Sequence, residues 1–365
     1  MFRPLFARVG PTLRWVRHQS TEACQSTIQP KAGTSTTLRH LHFTDTVSYE
    51  TGLGVQEKFV AANLDFKNIR SRALRQIEAV KSGKMDTDEG PAQVSQYEEN
   101  LVAKMLKDIK PGPLVLTFQF NPVYTGGKRE KDSHSEQELE IYNFKGAHYV
   151  QSSRGGQVTY HGPGQVVAYS IIDLNDFKKL DAKEEQNELT SDNDIPQMLK
   201  KDRRALPPRC FVNGLEQSII NTLSSGHKIS RSMSAASRTP YGIDSFRTEN
   251  TGVWVAADAK IASIGVHVRR GVTSHGVAIN VNTDLDYPNK FVMCGIDNAK
   301  TTSMKEIWEK ENQSREVSIR DVSYSYACEF AKVFGFKQVE HYDVIAENFI
   351  KGVDGAYSHG IKEIL

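Results

Sequence analysis

Between Gly252 and Leu285 three strand-like runs follow one another with little between them: GVWV, KIASIGVHV and GVAINVNTDL. In the last, Val277, Ile279 and Val281 alternate with Ala278, Asn280 and Asn282, and alternation of period two predicts a sheet with one half-buried face. LVLTFQF, Leu114 to Phe120, is β-branched or aromatic at most positions and bounded by prolines, which predicts a buried strand. Helical spacing recurs over Asn63 to Glu78, over FVNGLEQSIINTLSS with apolar residues at 212, 215, 219, 220 and 223, and over VSYSYACEFAKVFG. Strands and helices are interspersed without a strict βαβ rhythm. The fold class expected is therefore α+β with a mixed sheet.

The chain has 365 residues, 38% of them apolar and 25% charged, an ordinary globular composition with length enough for a sizeable core. No apolar run approaches the roughly 20 residues that span a bilayer, so no membrane span is expected. The first twenty residues, MFRPLFARVGPTLRWVRHQS, hold Arg3, Arg8, Arg14 and Arg17, no acid and no lysine, and place Leu5, Val9, Leu13 and Val16 on one helical face. That pattern predicts a mitochondrial transit peptide over 1–20. Without those four arginines the formal charge falls from +2 to −2. The basicity belongs to the leader and argues against a nucleic-acid partner.

Cys24, Cys210, Cys294 and Cys328 have no regular spacing, and a matrix compartment keeps thiols reduced, so no disulfide framework is expected. No HxxxH or CxxC pair occurs among the histidines and cysteines, and no metal is expected. Residues 21–37, rich in Ser, Thr and Gln, predict a linker; order should begin near Leu38 and continue as a single domain over 38–365. Two polar stretches, near 79–97 and 176–209, are expected to be solvated insertions.

The segment RGGQVTYHGPGQVVAYSIIDL, Arg154 to Leu174, sets four glycines in eleven residues ahead of an apolar run. Such a cluster fits either a tight turn or backbone that must approach a ligand. Further along stand Lys260-Ile261-Ala262-Ser263-Ile264-Gly265, Ser274-His275-Gly276 and Met293-Cys294-Gly295, and upstream Asn121-Pro122-Val123-Tyr124-Thr125-Gly126-Gly127. Together these resemble the lipoyl(octanoyl) transferase family, of a fungal mitochondrial type, from about Leu38 to the end apart from the two polar stretches. The resemblance implies the biotin and lipoate protein ligase fold, a mixed sheet wrapped by helices. It implies transfer of octanoyl from octanoyl-acyl carrier protein to the lysine of lipoyl domains, such as glycine cleavage H protein and 2-oxoacid dehydrogenase E2 subunits. It requires no cofactor.

The residue roles carried over are an acyl-thioester nucleophile at Cys294 and a partner lysine at Lys260. The acyl pocket would be lined by Arg154, Gly155, Gly156 and Gln157, then Val158, Thr159, Tyr160 and His161. Ser263, Ile264 and Gly265 would complete it with Gly276, Val277 and Ala278. Small residues there would leave room for an apolar chain and bring backbone N–H groups near the thioester carbonyl. His161 and His275 are expected to be wall or orienting residues.

The residue types suit the chemistry. A thiolate exchanges readily with a thioester, and the enzyme thioester stays reactive towards an amine. A free thiol has a pKa of about 8.5, so lowering it to about 7 takes roughly 2 kcal/mol, which an ammonium at about 4 Å in a partly shielded site can supply. Lys260 is thus expected to lower the Cys294 pKa and to shuttle protons. The family carries a histidine where this chain has Phe120. Two alternatives stay open at the level of sequence: an ATP-dependent lipoate or biotin ligase, and a catalytically silent protein that binds lipoyl domains or acyl carrier protein.

Overall fold

The computed structural model describes residues 28–83, 86–87, 90–91, 93–130, 140–179, 205–225, 241–290, 299–347 and 349. The expected transit peptide, 1–20, lies outside them. In chain order the strands are β1 (Ile28–Pro30), β2 (Thr37–Val47), β3 (Asp86–Thr87), β4 (Gly90–Pro91), β5 (Leu114–Phe120), β6 (Val123–Gly126), β7 (His148–Gln151) and β8 (Thr159–His161). They continue as β9 (Gln165–Ile171), β10 (Phe177–Lys179), β11 (Val253–Ala256), β12 (Ala259–Arg269), β13 (Val272–Asn280), β14 (Lys300–Thr301) and β15 (Gln338–Val344). The helices are α1 (Tyr49–Lys81), α2 (Gln96–Asp108), α3 (Pro208–Ser225), α4 (Met304–Lys310) and α5 (Ile319–Val333).

The main sheet runs β11-β12-β13-β9-β5-β2-β15, with β14 also paired to β12. From β11 to β5 the neighbours are antiparallel, whereas β5, β2 and β15 run parallel, so the sheet is mixed as expected. Its two faces are covered by different helices. Leu38, Val115, Val166, Ala168, Val277 and Ile279 pack with Phe211, Leu215 and Ile219 of α3 and Val322, Tyr326 and Phe330 of α5. Leu116, Phe118, Val167, Tyr169 and Ala278 face the other way, towards Tyr49, Val55 and Val60 of α1. A second, small sheet, β7-β6-β8, holds its own aromatic cluster of Tyr124, Tyr142, Val158 and Tyr160.

Four expectations need correction. The stretch 21–37 is not linker throughout: β1 pairs antiparallel with β10, and Ile28 is buried in the larger core. The polar stretch at 176–209 is shorter than its composition suggests, because Phe177 is buried in β10 and Leu206 under the same core; residues 180–204 lie outside the described ones. The stretch at 79–97 likewise yields its first residues to α1 and its last to α2, whose start is fixed by a capping box between Ser95 and Glu98. Finally, β13 is buried along its whole length instead of half-buried. Its polar Asn280 is bonded to Gln165 and to the Thr302 carbonyl and so faces protein, whereas Asn282, just past the strand, is exposed.

Helix α1 begins fourteen residues before the periodic stretch that predicts it. Ser48 caps it by accepting from the Thr51 N–H. Gly52 and Gly54, both poor helix formers, conceal this first part in the sequence. Gly52 has a packing reason: a Cβ there would stand 2.4 Å from Cε1 of Phe120, so the helix lies directly on that ring.

Candidate functional site

Residues of the Arg154–His161, Ser263–Gly265 and His275–Ala278 stretches meet on the α1 face of the sheet. Ser263 and Gly265 of β12 stand in register with Ala278 and Gly276 of β13, which makes a floor of four small residues beside Val167 and Tyr169 of β9. Ile264 and Val277 alternate to the opposite side, into the core under α3 and α5, although Val277 still borders the floor. Arg154, Thr159, His161 and His275 form the walls of a cleft of about 20 Å³, space for one water. Strand alternation also sorts the Val158-to-His161 run. Thr159 and His161 line the cleft, whereas Val158 and Tyr160 turn into the aromatic cluster of the small sheet, where Tyr160 stacks on Tyr287.

Arg154 is 5% exposed and shapes this loop more than it presents a free charge. One guanidinium nitrogen donates to the carbonyls of Gly155 and Gln157, at 3.1 and 2.9 Å. The other donates to the Thr125 hydroxyl at 2.8 Å and to the Thr125 carbonyl. The Gly155 N–H donates to the Val266 carbonyl of β12, which ties the glycine loop to the floor. A Cβ on Gly265 would stand 2.8 Å from Arg154 Cδ and 3.0 Å from the Gly155 carbonyl. The glycine there admits the Arg154 side chain, where the sequence suggested room for an acyl chain. Gly155, Gly156 and Gln157 belong to this tied loop and do not border the cleft.

The two histidines are buried and neutral. His161 Nδ1–H donates to Gln165 Oε1 at 2.8 Å, and Gln165 in turn donates to the Tyr160 carbonyl and to Asn280. Burial, followed by the nearby Arg154 charge, pushes the His161 pKa down to about 3. His275 is pushed to about 3 for the same two reasons, with smaller effects from His267, His161 and Arg269. Its backbone sits at φ 59 and its N–H donates to Gln56 of α1. Bases this weak are poor acceptors for a thiol proton, which suits wall or orienting roles.

Lys260 lies three residues before Ser263 on β12 and does not border the cleft. It is 4% exposed, with Nζ 5.3 Å from the Trp254 ring centroid. Gly252, at φ 127, passes so close that a Cβ would stand 2.4 Å from Lys260 Cε and 3.1 Å from Nζ. On its other side the Gly252 N–H donates to Glu216 Oε1 at 3.1 Å. Lys260 also pairs in register with Thr301 of β14, and its carbonyl accepts from the Thr302 N–H.

Cys294 falls in 291–298, outside the described residues. The chain on either side of that segment is closed by Asn289, whose side chain accepts from the Thr301 N–H at 2.8 Å and donates to the Thr301 carbonyl at 3.1 Å. The closure sits beside Lys260 because Thr301 is its strand partner. Of the other cysteines, Cys210 is buried and Cys328 partly so, in the apolar helices α3 and α5; Cys24 lies outside the described residues. Phe120 is fully buried between Tyr49, Phe118 and His161, so it belongs to the packing behind the cleft.

Glu216, Gly252, Gln165 and Asn289 were not among the residues the sequence singled out. Glu216 had a signal: one position past Leu215 and three before Ile219, it falls at the apolar phase of α3, where a charge demands a partner. Gln165 had one too, since it stands in the quoted Arg154-to-Leu174 segment; Gly252 and Asn289 had none as site residues.

A family model described as the lipoyl protein ligase A/B catalytic domain matches residues 91–190 and 211–331. The chain is 37% identical over 347 residues to the mitochondrial octanoyltransferase of Kluyveromyces lactis, covering 92% of each chain. To the mitochondrial octanoyltransferase of Saccharomyces cerevisiae it is 36% identical over 342 residues, covering 90% of this chain and 91% of the relative. A crystal structure of lipoate-protein ligase A bound with ATP superposes at a TM-score of 0.39 and 15% identity, over 68% of this chain and 83% of that one.

Proposed function

The chain belongs to the lipoyl protein ligase A/B catalytic-domain family and, within it, to the mitochondrial octanoyltransferases of lipoate biosynthesis; on that premise we propose that it works by ping-pong acyl transfer through Cys294. The donor is octanoyl-acyl carrier protein and the acceptor a lysine of a lipoyl domain. In the resting enzyme Cys294 is a thiolate and Lys260 an ammonium. The thiolate attacks the thioester carbonyl, the carrier thiolate leaves, and Lys260 gives it a proton. The acceptor amine, entering neutral, then attacks the Cys294 thioester; Lys260 takes the proton released as the amide forms, and the thiolate and ammonium are restored.

The observation that carries this reading is the Lys260 corner: a buried lysine between Trp254 and the Glu216-bound Gly252, paired with Thr301 where the chain returns from Cys294. Both surroundings favour the ammonium form, through the negative ring face and the nearby carboxylate. The small-residue floor is the surface along which the octanoyl chain would lie. Since the cleft holds only about 20 Å³, its walls must part as the chain enters.

The test is transfer to an apo-lipoyl domain without nucleotide. Octanoyl-carrier protein alone should octanoylate the acceptor lysine, and free octanoate with ATP should not. Acceptor modification that requires ATP and free acid would overturn the proposal in favour of a ligase.

A further inference from the structure

Glu216 is 5% exposed and is the charged residue among the buried positions of α3, where an arginine and a backbone N–H meet its two oxygens. Oε1 accepts from the Gly252 N–H at 3.1 Å. Oε2 is ion-paired with Arg247 Nε at 3.1 Å, while Arg247 Nη2 donates to the Asn213 carbonyl and to Gln217. The remaining charged neighbour is Lys260, reached across Gly252: the residue whose N–H holds the carboxylate is also the one whose Cα side lies against Cε and Nζ of the lysine.

We infer that Glu216 is the positioning residue that keeps Lys260 charged, with Gly252 as the spacer that sets their separation. The inference rests on the acyl-transfer reading given above. Coupling between two titrating groups is reciprocal. Burial raises the Glu216 pKa, while Gly252, Arg247 and Lys260 each oppose that rise, so the carboxylate must stabilise the ammonium in return. Among the described residues the charged groups meeting at this corner are Glu216 from α3 and Arg247 from the segment before β11. Trp254 of β11 and Thr301 of β14 are uncharged, and Lys300 of β14 is exposed and acts on Glu306. Removing Glu216 takes away a carboxylate that opposes loss of the lysine proton; removing Arg247 takes away a cation that offsets that carboxylate.

The experiment is the pH profile of octanoyl transfer from carrier protein to lipoyl domain, read at its alkaline limb, for the parent, Glu216→Gln and Arg247→Gln. Glu216→Gln should move the limb down by about one pH unit, the scale of a close opposite charge, and Arg247→Gln should move it up or leave it in place. A limb unmoved in folded Glu216→Gln overturns the inference, because a purely structural Glu216 would lower thermal stability and rate without displacing the profile. Should Glu216→Gln not fold, Glu216→Asp keeps the charge and must keep the parent limb; a displaced limb there also counts against the inference. Intact mass after exposure to octanoyl-carrier protein is read in parallel. Absence of the octanoyl adduct in the parent sinks the transfer reading, whereas an adduct with an unmoved limb sinks only the role of Glu216.

Discussion

Gly252 shows how much of this site depends on a missing side chain. Its φ of 127 is open to glycine and strained for any other residue, and Lys260 fills the space where a Cβ would go. Gly252→Ala should therefore displace the lysine: the folded variant should lose transfer by at least about tenfold, the effect of 1.4 kcal/mol on a barrier, in a single-turnover assay. A variant that folds and transfers at the parent rate would show that the lysine position is immaterial. The sequence marked Lys260 through its KIASIG context but gave no sign of Gly252, because the contact forms only when β11 and β12 pair. Arg154 illustrates the opposite case. Its presence in the motif was plain, yet its guanidinium proves to hold carbonyls of its own loop and the Thr125 backbone, a use that sequence cannot distinguish from ligand binding.

At the scale of elements, legibility followed periodicity. LVLTFQF is β5 residue for residue, a continuous apolar run because the strand is buried on both faces, and the FVNGLEQSIINTLSS pattern lies inside α3, whose apolar face meets one core. Helix α1 was legible only in its second half, since Gly52 answers to the Phe120 ring across the sheet instead of to helix propensity. The buried length of β13 was hidden for a related reason. Asn280 looks like a solvent-facing residue until Gln165 of β9 and Thr302 supply its partners. The floor of the cleft, in contrast, could be read from small residues at alternate positions of two neighbouring strands. Which of them face the cleft required the register of β12 on β13.

For the whole molecule, the class and the mixed sheet followed from sequence, but strand order did not, because the parallel β2-β15 pair joins residues about three hundred positions apart. That pair carries a chain of side-chain hydrogen bonds. Neutral His341 donates from Nε2 to Asp343, so its Nδ1 accepts from His40 Nδ1–H; His40 Nε2 then accepts from the Thr117 hydroxyl, whose oxygen accepts from His42 Nδ1–H. Burial first, and neighbouring positive charge after it, holds His40 well below 6.5, while burial takes His42 to about 4 against the pull of Asp343. With His161 and His275 at about 3, four histidines stay neutral in the fold but protonate in the unfolded chain. Stability should then be level above about pH 6.5 and fall below it, each histidine withdrawing up to about 2 kcal/mol by pH 5. Denaturant unfolding across pH 7.5 to 5 checks this, and a midpoint that does not fall on acidification would contradict the buried neutral histidines.

The central claim is that octanoyl rides on Cys294, and the intact mass of the full chain after mixing with octanoyl-carrier protein, without nucleotide, tests it most directly. The account predicts one octanoyl group added, absent in Cys294→Ala and discharged on addition of apo-lipoyl domain. An adduct that persists in folded Cys294→Ala, or an unmodified parent that still octanoylates the lipoyl domain, would contradict it.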